Sequence, residues 1–192
     1  MGLPSVRENV RNAIVEYLSG LIQPGVKPQN QTIPYLAQVY GFPAKVTNMG
    51  DLDLNVGVGG AGIWLYFAEE IDKRYELAAN YATTGATGKA VEFNVRLICL
   101  LRSSEETAQD VGAAGEAFLD GLLNAIRQDP NAGTGENGTG SGAIWSWGLG
   151  PFPNGGPDLR AEQSLPRPVR QGVTDIQTIV EVTVVSLIDP QI

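Results

Sequence analysis

The chain has 192 residues, with 21 acidic and 13 basic side chains, a formal net charge of −8, one cysteine and no histidine. Its length suffices for one well-buried domain, and its acidity and scattered basic residues exclude a general grip on nucleic acid, which needs basic clusters to replace the counterions on phosphate. The missing histidine removes the commonest general base and the usual zinc ligand sets, and a lone Cys99 excludes a disulfide framework or a thiolate metal cluster.

At the N-terminus Arg7, Glu8 and Arg11 interrupt any apolar signal core. No apolar run approaches the ~20 residues that cross a bilayer. The expectation is a soluble, reduced protein made inside the cell. Ser5-Val-Arg-Glu8 forms a capping box, and Val6, Val10, Ile14, Leu18 and Leu21 recur at helical spacing. They predict a helix over about Val6 to Leu21, ended by Pro24-Gly25. Gln23 to Pro43 reads as irregular and proline-punctuated, Ala44 to Asn48 as a short strand, and Asp51 to Gly62 as a glycine-rich loop.

Ile63 to Glu76 fits two periods: Trp64, Phe67, Ile71 and Tyr75 suit a helix, while the β-branched and aromatic start suits a strand. Lys89 to Arg102 is a clearer strand, with Val91, Phe93, Val95, Leu97, Cys99 and Leu101 on one face and Glu92, Asn94 and Arg96 on the other. From Ile98 both faces are apolar, as in a strand entering a two-sided core. Together these stretches suggest a hairpin that starts in the core and projects out of it. Cys99, inside this run, reads as a buried, inert thiol.

Ser103-Ser-Glu-Glu106 is a second capping box. The helix after it runs to about Gln128, with Val111, Gly115, Phe118, Leu122 and Ile126 on one face, and Gly112 and Gly115 predict a close approach to the sheet. A short strand over Ala143 to Trp147, an irregular proline-rich segment over 148–171 and a strong strand over Ile176 to Ile188 complete the chain. Two helices among runs of strands imply an α+β fold: an antiparallel or mixed sheet with a long projecting hairpin and both helices on one face, in a single domain over residues 1–192.

Gly133-Thr-Gly-Glu-Asn-Gly138 matches the glycine fingerprint of dinucleotide-binding enzymes. That fingerprint follows a strand and opens a helix whose amides hold the pyrophosphate; here the tract follows a helix and opens a strand, so a flexible loop over 131–142 is expected instead. No Gly-Lys-Ser/Thr completes a phosphate loop. Gly138-Thr-Gly-Ser-Gly142 lacks a histidine to activate its serine. Asp51/Asp53 and Glu69/Glu70/Asp72 lack an EF-hand pattern and read as solvated acidic clusters. The expectation is therefore no catalytic, cofactor-binding or metal-binding residues.

The stretch from Gly62 to Asp110, the helix ending "LLNAIRQDP" and the "IWSWG" strand resemble the tail terminator (tail completion) proteins of long-tailed phages. The hairpin tip corresponds to Gly85–Gly88, the post-helical turn to Arg127–Pro130 and the Ile-Trp strand to Ile144–Gly148, and the likeness spans Val6 to Ile188. The glycine tract and the proline-rich segment depart from the family pattern. The resemblance favours the strand reading of Ile63–Glu76. It implies a homo-oligomeric, typically hexameric ring in the virion, assembled in the host bacterial cytoplasm. Such a ring caps the tail tube, ends elongation and joins the tail to the head. Its implied partners are the tail tube protein on one side and a head-completion (stopper) protein on the other, with DNA passing through the lumen unread and no membrane. On this reading Lys73, Arg74, Tyr75, Tyr81, Lys89, Trp145 and Trp147 are candidate interface residues. A stopper protein and a non-catalytic α+β binding module are the alternatives.

Overall fold

The computed structural model describes residues 6–42, 60–74, 89–103, 108–129, 132, 146–147, 159–170 and 172–188. In chain order these form α1 (Val6–Gly20), a single 3-10 turn (Pro28–Asn30), β1 (Leu36–Tyr40), β2 (Gly60–Arg74), β3 (Lys89–Ser103), α2 (Ala108–Gln128), β4 (Ser146–Trp147), β5 (Leu159–Gln163), β6 (Arg167–Arg170) and β7 (Val173–Ile188).

All the strands belong to one mixed sheet, ordered β1-β2-β3-β7, with β4, β5 and β6 following one another along the far edge of β7. β1 runs parallel to β2, and every other pair is antiparallel. The odd residues Ile63 and Leu65 of β2 and Val91 to Leu101 of β3 align with the even residues Ile176 to Val184 of β7 on one face. That face joins Val10, Ala13, Ile14 and Leu18 of α1 and Val111, Phe118, Leu122 and Ile126 of α2 in one buried cluster. The α+β class, with both helices sharing one sheet face, thus follows from the alternation in the strands and the 3.6-residue period in the helices. Burying the four large α2 side chains contributes on the order of 6–12 kcal/mol before chain entropy is counted.

Several expectations change. β1 lies within the stretch expected to be irregular. Tyr35, at a left-handed φ of 66°, turns the chain into it. A register shift between Leu36 and Gln38 breaks its alternation, so Leu36 and Val39 both reach the core. The strand expected over residues 44–48 lies outside the described residues. β2 begins at Gly60, inside the expected loop. The proline-rich segment over 148–171 holds β5 and β6. They carry little apolar patterning, and the backbone of β7 recruits them.

The hairpin is corrected in one respect. β2 and β3 pair from Gly60↔Arg102 to Arg74↔Lys89. They do not leave the sheet as a two-stranded arm over this span, because β7 flanks β3 through Lys89↔Ile188. The expected tip at residues 85–88 lies outside the described residues, as does the glycine tract over 133–142.

Candidate functional site

The sheet face opposite the helices is built in rows across the strands. Tyr66, Arg96, Glu181 and Arg160 stand side by side on β2, β3, β7 and β5. The next row holds Tyr40, Trp64, Ile98, Ile179 and Glu162. Two strand positions further along, Leu100 is buried with Trp64 against Ile98, so the centre of the sheet is apolar on both faces, as the sequence of β3 predicts. Tyr40 stacks on Trp64 with ring centroids 5.4 Å apart and planes 5° from parallel.

Ion pairs flank this apolar patch. The Arg96 Nε donates to Glu181 at 2.7 Å, and Arg160 pairs with Glu162. These four side chains and Ile179 line a cleft of about 260 Å³. Two guanidiniums face two carboxylates there, an arrangement suited to a polar contact surface. Beyond Leu100, Arg102 donates through Nε and Nη2 to both carboxylate oxygens of Asp175 at 2.9 Å each. This pair is almost wholly buried, and its hydrogen bond to Asp175 raises the Arg102 pKa against the opposing effect of burial.

A second cluster sits where α1 crosses the end of β1. The Arg11 guanidinium lies 4.1 Å from the Phe42 ring centroid and 5.2 Å from that of Phe67, and Arg7 lies 5.6 Å from Phe67. Arg7 also pairs with Glu70 at 2.7 Å. Glu70 reaches the helix side because the register of β2 shifts between Phe67 and Glu69, so that Phe67 opposes Val95 but Glu70 opposes Phe93. Burial and the neighbouring Arg7 charge lower the Arg11 pKa, against a raising effect of Glu8.

The residues singled out in the sequence separate into three groups. Tyr75, Tyr81 and Trp145 lie outside the described residues. Lys73, Arg74 and Lys89 occupy the end of the β2–β3 ladder, in the pairs Lys73↔Ala90 and Arg74↔Lys89. Trp147 requires correction as an exposed anchor, because it is fully buried in the helix-side core. Its Nε1 donates to the Asp129 carbonyl at 2.6 Å, and its ring meets Tyr17 edge-on at 5.6 Å. The short strand therefore pins the end of α2 to the sheet. Cys99 is buried, and its thiol is pushed far up by desolvation.

Composition could not locate Tyr40, Phe42 and Leu165, which stand exposed at the sheet margins. Their signal was an aromatic or aliphatic side chain inside stretches otherwise too polar and proline-rich to bury it. Among the described residues no three histidine, cysteine or carboxylate side chains gather as metal ligands, and no helix is long and apolar enough to cross a membrane. No protein-family model matches the chain, and no curated protein matches it either.

Proposed function

We propose that the protein is a tail terminator of a long-tailed phage. It is a subunit of a ring that caps the tail tube, ends its elongation and joins the tail to the head. One observation carries this reading. A helix, a long strand pair, a second helix, the short Ser146–Trp147 strand and a long apolar last strand follow in an order that resembles that family's over residues 6–188. Two features of the fold support it. Both helices lie on one face, and among the described residues no helix covers the opposite face, whose rows of paired charges and exposed Tyr66 offer a surface for other subunits. The net charge of −8 suits the wall of a conduit, since an acidic lumen repels passing DNA and keeps it from sticking.

In this role the partners are further copies of the chain, the tube protein on one side and a head-completion protein on the other. The site of action is the virion neck, and no bound cofactor is needed. An exposed tube end keeps adding subunits unless its edges are covered. A ring complementary to the last tube ring on one side only stops that growth. Electron microscopy of particles made without the protein tests this: headless tails of irregular, excessive length are expected. Tails of normal length beside heads that leak DNA would replace the terminator with a stopper.

A further inference from the structure

Arg11 leaves α1 beside the end of β1, and its surroundings hold it closely. The chain just after β1 covers its stem: a Cβ at Gly41 would lie 3.0 Å from Arg11 Cδ and 3.3 Å from its Cγ. The guanidinium carbon stands 4.1 Å from the centroid of the Phe42 ring and 5.2 Å from that of Phe67. Phe67 is fixed in turn, because it meets the fully buried Phe93 ring edge-on at 5.4 Å. The Arg11 Nε is buried without a hydrogen-bond partner. A long, rotamer-rich side chain is thus ordered in advance, and a ligand that meets it need not offset that ordering.

What the surroundings do not supply is an anion in contact. Arg7, Arg96, Arg102 and Arg160 each hold a carboxylate, in the pairs with Glu70, Glu181, Asp175 and Glu162. Arg11 has no ion pair among the described residues. Burial and then the Arg7 charge lower its pKa, and the charge of Glu8, which raises it, compensates only in part. A partly desolvated cation without a contacting anion is stabilised by one that arrives from outside.

The class of ligand follows from charge and shape. Arg7 and Arg11 against Glu8 and Glu70 sum to zero, so a monoanion suits the place better than a dianion. With Nε buried, the two Nη amino groups are the donors a ligand can reach, and their common plane matches the two oxygens of a carboxylate. Phe42, 64% exposed, stands beside them to cover the aliphatic stem that carries such a group. Nucleic-acid phosphate is disfavoured by the net charge of −8.

We infer that Arg11, with Phe42 beside it, is a binding site for a carboxylate on a short aliphatic stem, as a glutamate side chain of an acidic peptide segment presents it. The site stands on Arg11 and its neighbours and does not depend on the terminator reading.

The test follows the Arg11 side-chain and Phe42 ring signals of the isotope-labelled full chain by NMR. The probes are acetyl-Gly-Glu-Gly-amide, its glutamine counterpart and inorganic phosphate. The glutamate peptide should shift both sets of signals and saturate, while the glutamine peptide and phosphate should bind about tenfold more weakly or worse. Arg11→Gln should weaken the glutamate peptide by about tenfold or more, and Arg11→Lys, which keeps the charge and loses the planar fork, by about threefold or more. Phe42→Ala should weaken it while melting as the wild type does, since the ring is mostly exposed. Arg127→Gln, an exposed arginine at the end of α2, should leave it unchanged. Equal binding of the two peptides, or binding that survives Arg11→Gln or is lost in Arg127→Gln, would overturn the site. Phosphate bound more tightly than the glutamate peptide would overturn its assignment to a carboxylate. Should Arg11→Gln melt early, the two peptides on the wild type and the response of Arg11→Lys decide the matter in the same way.

Discussion

Three glycines of α2 provide a graded test of how the helices pack. Replacing glycine by alanine inside a helix favours the helix by up to about 1 kcal/mol at any of them. What differs is what the new methyl group meets. At Gly112 nothing among the described residues lies within 4 Å of an added Cβ. Gly112→Ala should therefore stabilise the protein by about 0.5–1 kcal/mol, raising Tm by roughly 1–4 °C for a chain of this size. At Gly115 the methyl would lie 2.8 Å from Ile176 Cδ1 and 3.0 Å from Gln163 Nε2, both ends of side chains that can swing aside. Gln163 would give up its 3.3 Å bond to Thr178 Oγ1, and the net effect should lie between zero and a loss of about 1 kcal/mol. At Gly121 the methyl would sit 2.5 Å from Pro34 Cδ and 3.2 Å from the Ile33 Cα, a ring and a main chain that cannot rotate away. Overpacking there costs about 1–3 kcal/mol, more than the helix gains. Thermal unfolding followed by circular dichroism should rank Gly112→Ala above wild type, Gly115→Ala near or slightly below it, and Gly121→Ala lowest. A Gly121→Ala protein as stable as Gly112→Ala would refute the seating of α2 on the Ile33–Pro34 turn.

Trp147→Ala should cost about 3–5 kcal/mol, because it empties a core site and removes the bond to the Asp129 carbonyl; chemical denaturation should show it, and a wild-type midpoint would contradict the burial of this ring. Asp175→Asn should cost about 3–5 kcal/mol by leaving the buried Arg102 charge without its carboxylate, whereas the paired change Arg102→Met with Asp175→Leu should cost clearly less; equal losses would show that the charges themselves do not matter. The Tyr17 pKa is raised by burial and then by the Asp129 charge, while its hydroxyl donates to the Ala125 carbonyl at 3.0 Å. The unfolded tyrosine ionises first, near pH 10, so this contribution to stability is whole below that pH and declines as pH rises toward the higher folded value; Tyr17→Phe should flatten that part of the alkaline loss.

Where burial follows a simple period, the sequence disclosed the fold. The stripe Val10, Ile14 and Leu18 on α1, the stripe Val111, Phe118, Leu122 and Ile126 on α2, and the alternation of β3 and β7 each reach the core as the spacing requires. Three places were not legible, for separate physical reasons. In β1 the register shift between Leu36 and Gln38 destroys the alternation that would have marked a strand. In β5 and β6 the side chains are mostly exposed, so no hydrophobic pattern exists to read, and pairing to β7 supplies the reason for extended backbone. In "IWSWG" the second tryptophan invited an interface role because nothing in one dimension tells that it lies under Tyr17 and the end of α2.

The irregularity in β2 connects the legible core to the exposed margin beside β1. Up to Phe67 the odd residues of β2 face the helices; past the shift before Glu69 the even ones take that side. A regular strand would have put Glu70 on the open face, away from α1, and Glu69 on the helix side opposite Phe93; the shift gives that place to Glu70. With the shift, Glu70 neutralises Arg7 and frees Arg11 to hold Phe42 at the margin. The unpaired, buried Nε atoms of Arg7 and Arg11 are the cost of packing two guanidiniums over one ring. Such a cost persists where it positions something, and what it positions here is an exposed phenylalanine beside β1, the last strand on that side among the described residues. Glu70→Gln should therefore leave the Ile63–Leu65 core pairs intact while releasing Arg7 and loosening the packing of Arg11 on Phe42. The half-exposed pair is worth about 0–1 kcal/mol, so the melting temperature should barely move, and a large drop would show that Glu70 also supports the core.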